Sequence, residues 1–111
     1  MSLLYQDPSM SHEKATRLLA SCEETNVATA LVSIGLNEQD KIWAQNTCLK
    51  YLKSETESVA ASAITALGHI ARRHGDLDMG AVFPALEKVK EKYPSLEGTV
   101  SDTLDDIETF T

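Results

Sequence analysis

The stretch Ser58–Gly75, SVAASAITALGHIARRHG, decides the fold. Its apolar positions Val59, Ala63, Leu67 and Ile70 recur at helical period along one side. The same stretch is built largely from small residues, Ala60, Ala61, Ala63, Ala66 and Ala71, with Gly68 at its centre. A glycine inside a helix costs about 1 kcal/mol relative to alanine. That cost is offset where a helix has neighbours on several sides, because tiny side chains let backbones approach. The stretch therefore reads as the central helix of a layered helical array, with Gly68 as its point of close packing. Arg72, Arg73 and His74 fall in its last turn, beside the negative end of the helix dipole, and Gly75 stops it.

Outward from this helix the chain carries helical punctuation throughout, with no sustained period-two alternation and no hairpin dipeptide between apolar runs. Asp7-Pro8 reads as a cap and first helical residue, opening a helix that runs to about Ser21. Ser21 with Glu24 reads as a capping box for a second helix, bearing Val27, Leu31 and Ile34 and stopped by Gly35. Asn37 with Asp40 opens a third helix through Ile42, Leu49 and Leu52, and Ser54 with Glu57 repeats the capping box ahead of the central helix. A fifth helix holds Pro84 in its first turn, carries Leu86 and Val89, and ends near Tyr93-Pro94; a sixth runs from about Ser95.

The even-numbered helices share one apolar pattern. Val59, Ala63, Leu67 and Ile70 reappear as Leu96, Val100, Leu104 and Ile107 at an offset of 37. An offset of 36 in the other direction gives Glu23, Val27, Leu31 and Ile34, matching at three of four positions. A period near 37 that spans two helices marks a unit which buries its face only by stacking on its neighbours. With Val59, Ala63, Ala66, Leu67, Gly68, Ile70 and Ala71 in place, the run resembles the second helix of a bacterial HEAT-like repeat. Ala60 stands where that pattern often carries a basic residue. The resemblance implies an all-α protein, a right-handed α-solenoid of three HEAT-like helix pairs (about six helices), in a single domain over residues 1–111 with units at about 8–36, 37–75 and 76–111. It also implies a protein-binding scaffold, since this family rarely carries chemistry.

Composition narrows the function classes. Seventeen acidic against 10 basic residues give a formal charge of −7, which disfavours nucleic-acid binding, because counterion release needs clustered Lys and Arg. A basic protein partner fits better. The N-terminal MSLLYQDPSM has neither a basic residue nor an apolar run of signal-peptide length, and no window approaches a membrane span, so a cytoplasmic protein is expected. Cys22 and Cys48 then read as reduced, buried small residues.

The charge is lopsided: no Lys or Arg follows Lys92, whereas Glu97, Asp102, Asp105, Asp106 and Glu108 do. Asp102, Asp105, Asp106 and Thr109 share one helical face at spacings of three and four, where like charges repel. Such a face either keeps an end of the stack solvated or grips a cationic partner, and the cluster as a whole points to the latter. Trp43, Thr47 and Tyr51 form a second stripe; Trp43 and Tyr51 are candidate partner contacts, although packing against a neighbouring helix is the commoner use of such residues. Asp76, Asp78 and Glu87 resemble a calcium loop only in passing, because Gly80, Ala81 and Pro84 occupy positions that loop assigns otherwise. His69 and His74 are five residues apart and point to different faces, and neither a zinc spacing, a phosphate loop nor a nucleophile elbow occurs. The sequence thus predicts no catalytic residues, no metal and no cofactor. Two functions suit these features. The first is an immunity or antitoxin-type protein that neutralises a basic toxin, of nuclease type for example, since a small, acidic, non-enzymatic chain resembles many such bacterial proteins. The second is an adaptor or assembly scaffold docking to a complex subunit. A phycobilin lyase of HEAT-like type ranks behind both, such enzymes being longer.

Overall fold

The computed structural model describes residues 11–111, and among these it is all-helical. The elements are α1 (His12–Ala20), α2 (Glu24–Asn37), α3 (Lys41–Tyr51), α4 (Glu57–His74), α5 (Met79–Lys92), a short 3-10 turn (Pro94–Leu96) and α6 (Glu97–Phe110). Asp7 and Pro8 lie outside the described residues. The described part of α1 is capped by Ser11, whose Oγ accepts from the Lys14 amide at 3.0 Å.

The apolar repeat is the core. Val27, Leu31 and Ile34 of α2, Val59, Ala63, Leu67 and Ile70 of α4, and Leu96, Val100 and Ile107 at the chain's last helix are all buried, while Leu104 is half-buried against them. Helices α2, α4 and α6 lie in a row with α4 in the middle, α1 packs on α2, and α3 packs on α4. From Val59 to Ala71 only a narrow strip of α4 through Ala61, Ser62, Thr65 and His69 escapes full burial, which is what neighbours on three sides produce.

The close approach of backbones is real, but Gly68 does not make it. A methyl group at Gly35 of α2 would lie 2.8 Å from Ala66 Cα and 2.9 Å from its carbonyl oxygen, so glycine there lets α2 and α4 touch along their main chains. A methyl at Gly68 would meet only Thr103 and Asp106 of α6, at 3.5 to 3.7 Å, an ordinary contact. Gly35 therefore does not stop α2, which continues to Asn37. Gly75 does stop α4, in the left-handed conformation at φ 68°.

Other boundaries shift by up to three residues for local reasons. The two capping boxes do not form: Ser21 and Ser54 turn their hydroxyls to the amides of Glu23 and Thr56, and α2 and α4 begin after Glu23 and Thr56. Asp40, not Asn37, caps α3, accepting from the Trp43 amide at 3.0 Å. Because α5 begins at Met79, Pro84 sits in its second turn, where its missing N–H leaves the exposed Gly80 carbonyl without a helical donor. Ile42 lies on the outer side of α3, 61% exposed, rather than with Leu52 in the core.

Polar ties between distant elements have one recurring length. Among the described residues, apart from His12 with Glu38, 26 residues apart, the side-chain hydrogen bonds that join distant elements link residues 33 to 39 apart. Arg73 Nη1 donates to the carbonyls of Gly35 and Glu38 at 3.3 and 3.0 Å, closing the C-terminus of α2 instead of serving its own helix. One step along, Lys92 Nζ donates to the carbonyls of Lys53 and Ser54 after α3, and Tyr93 Oη to that of Ser54 at 2.8 Å. Cations thus satisfy orphan carbonyls at helix ends across the gap between neighbours.

Candidate protein-binding surface

Helix α6 is fixed to α4 by Val100, Thr103 and Ile107, all buried. Helical geometry then sends Asp102, Asp105 and Glu108 outward, and Glu97 is exposed at the first turn. Among the described residues none of these four has a basic partner. Asp106 departs from the expected free face: it is turned toward α4 and pairs with Arg72 at 3.4 Å, while the same guanidinium lies 5.5 Å from the Phe110 ring. The acidic surface is therefore Glu97, Asp102, Asp105 and Glu108, with Asp106 partly neutralised within the chain.

Several of the chain's own cations are engaged elsewhere. Lys41 binds Asp76 at 2.6 Å and holds that carboxyl below its ordinary range, first by the hydrogen bond and then by its charge. Lys92 binds Glu55 at 3.0 Å, which raises its own pKa. On α4, His69 titrates below the ordinary histidine value because burial and then Arg72 disfavour its cation, against a smaller pull from Asp106.

Beside the acidic side chains lies an opening that the sequence did not lead us to expect. Helices α5 and α6 are joined by the 3-10 turn and leave an opening between the start of α5 and the end of α6. The gap is a groove of ≈ 360 Å³ lined by Met79 and Phe83 of α5 and by Leu104, Asp105, Ile107, Glu108 and Thr111 of α6. Phe83 is 47% exposed there. The sequence carries only an ambiguous hint of it: α5 buries Val82, Leu86 and Val89, and Phe83 falls about 100° round the helix from that stripe.

Trp43 and Tyr51 stand apart from this surface. Both are half-buried and pack against the core. The Trp43 ring lies 3.9 Å from that of His12, whose Nδ1 is 3.3 Å from Glu38 Oε1, so Trp43 knits α1 to α3. The cysteines also divide. Cys48 is buried, and burial pushes its thiol up to about 12, whereas Cys22 is exposed in the α1–α2 connection at φ 62°, contrary to the expectation of two buried thiols. Among the described residues no three His, Cys, Asp or Glu side chains gather in a way that would hold a metal ion, and no helix is long and apolar enough to cross a membrane.

Comparison with known proteins adds one finding. No family model matches the chain, and no curated protein does. Among solved structures it matches a chain in the crystal structure of a CDI complex from Cupriavidus taiwanensis LMG 19424, at a TM-score of 0.80 and 30% identity over 96% of each chain.

Proposed function

We propose, since this chain belongs to the same family as the CDI-complex chain it matches, that it is an immunity protein of a contact-dependent inhibition system, binding and neutralising a toxin domain. The proposed partner is basic and meets the surface of Glu97, Asp102, Asp105 and Glu108. The observation that carries this is the absence, among the described residues, of any basic partner for those four side chains, on a helix otherwise firmly anchored. Like charges held together at an exposed face repel, and a cationic surface relieves that repulsion on binding. Nucleases are the toxin class that fits best, because an enzyme acting on a polyanion presents a cationic cleft. Neutralisation by occupying that cleft needs no catalysis, and it takes place in the cytoplasm, where such a toxin acts.

In the same reading the six helices are three HEAT-like pairs, over about 8–36, 37–75 and 76–111, stacked as a right-handed solenoid. The polar ties at separations of 33 to 39 residues support it, since a stack repeats its interfaces at the length of its unit.

The test is binding to any toxin domain whose gene lies beside that of this chain. Wild type is expected to bind one such domain tightly, to protect cells that express it, and to associate more slowly as salt rises from about 50 to 300 mM. The variant Asp102→Lys, Asp105→Lys, Glu108→Lys is expected to weaken binding at least ~100-fold with helix content unchanged. Weak binding to several unrelated proteins would instead make the chain an adaptor, and full protection by the triple variant would remove this surface from the function.

A further inference from the structure

We propose that the groove between α5 and α6 receives an apolar side chain of the partner, aromatic or leucine, flanked in the partner's sequence by Lys or Arg. This rests on the immunity reading and adds to it the chemistry of what enters. The floor is apolar, formed by Met79, Phe83, Leu104 and Ile107, and the edge on the α6 side carries two carboxylates, Asp105 and Glu108. Neither carboxylate has a cation of this chain beside it among the described residues, so the charge at the rim is available to a partner. Phe83 leaves roughly half its surface in water, 47%, although the core lies one helical position away. A large, half-exposed ring lining a concave site is the kind of anchor that dominates an interface when an incoming side chain covers it.

Charge complementarity decides between occupants. A second copy of this chain would bring a formal −7 to a face already rimmed with acids, which like-charge repulsion opposes. An acidic segment is opposed for the same reason. An apolar residue with a cation on either side satisfies both the floor and the rim, and places its charges within reach of Asp105 and Glu108. The groove's volume of ≈ 360 Å³ suffices for one large side chain.

Selection of random peptides displayed on phage against the full chain tests this whether or not the toxin is in hand. The expected result is enrichment of sequences with Phe, Trp or Leu between basic residues, whose binding falls at least about tenfold in Phe83→Ser and also in Glu108→Lys. Phe83 is exposed, so Phe83→Ser is expected to retain its helix content, and Phe83→Leu is expected to recover most of the binding. Enriched peptides that lack basic residues, peptides indifferent to Phe83→Ser, or no enrichment each overturn the proposal. So does a wild-type dimer that Phe83→Ser converts to a monomer in sedimentation, which would make the occupant a second copy. A toxin domain that binds, loses affinity with Asp102→Lys and ignores Phe83→Ser overturns the groove alone and leaves the immunity reading standing. A neighbouring toxin that does not bind at all removes the immunity reading, and the peptides then still decide the groove.

Discussion

Replacing each of two helical glycines by alanine separates the packing device of this fold from a mere lapse in helix propensity. In Gly35→Ala the new methyl lies 2.8 Å from Ala66 Cα and 2.9 Å from Ala66 O. Both atoms are backbone, so no rotamer change relieves the clash, and restoring an ordinary 3.4 Å contact parts α2 and α4 by about 0.6 Å. Leu31 and Ile34 on one side and Leu67 and Ile70 on the other are fully packed in the same seam, and the parting loosens them as well. Overpacking of this kind costs roughly 1–3 kcal/mol, and its upper part applies where backbone meets backbone. Alanine returns about 1 kcal/mol of helix propensity, leaving Gly35→Ala destabilised by roughly 2 kcal/mol. Gly68→Ala meets side-chain atoms no nearer than 3.5 Å, keeps its propensity gain, and is expected to be more stable than wild type by roughly 0.5–1 kcal/mol. Urea unfolding followed by far-UV circular dichroism reads both values from one extrapolation. A Gly35→Ala protein as stable as wild type, or a Gly68→Ala protein as damaged as Gly35→Ala, refutes the reasoning.

Arg73→Ala removes the donor that closes α2 at Gly35 O and Glu38 O, and is expected to lower stability by about 1–2 kcal/mol in the same assay, the charged hydrogen bonds being partly exposed. A thiol reagent is expected to modify Cys22 in the folded protein and Cys48 only on unfolding, since burial holds the Cys48 pKa at about 12. Cys22→Gly is expected to gain up to about 1 kcal/mol in thermal unfolding, because φ 62° costs a side-chain-bearing residue and not glycine. His69 has its pKa lowered on folding, so the unfolded chain binds its proton more readily. Its contribution is therefore intact above the unfolded histidine pKa and is lost as pH falls through that value toward the lower native one; His69→Gln is expected to flatten the slope of stability in this window.

The helices and their buried faces were legible because an apolar period is a local property: Val59, Leu67 and Ile70, and their counterparts 36 and 37 residues away, needed only spacing to be found. What was not legible depends on what lies across a gap. A glycine after an apolar helix reads equally as a stop or as a contact, and only the position of Ala66 assigns Gly35 to the second. Arg73 satisfies the dipole of its own helix on paper, and the structure places it on the end of another 38 residues earlier. Asp105 and Asp106 are adjacent and chemically alike; the rotation of α6 on α4 turns one to solvent and the other to Arg72. The acidic cluster could thus be named from the sequence, but not which of its members is already neutralised. Phe83 lies next to the stripe that α5 buries, and an apolar ring beside such a stripe is as readily assigned to the core; only the groove between α5 and α6 leaves it open.

Where Gly35 meets Ala66 no side chain stands between the two main chains to act as a cushion, so that joint resists sliding and bending. At the opposite side of the row α5 and α6 follow one another through a short turn and leave an open groove between them, although Val82, Leu86 and Val89 bury α5 in the core. The molecule therefore has two unlike joints, main chain on main chain at the seam of α2 with α4 and an open mouth lined by side chains between the last two helices. An incoming group meets side chains at that mouth, and these adjust by changing rotamer, whereas the seam of α2 with α4 has none to move.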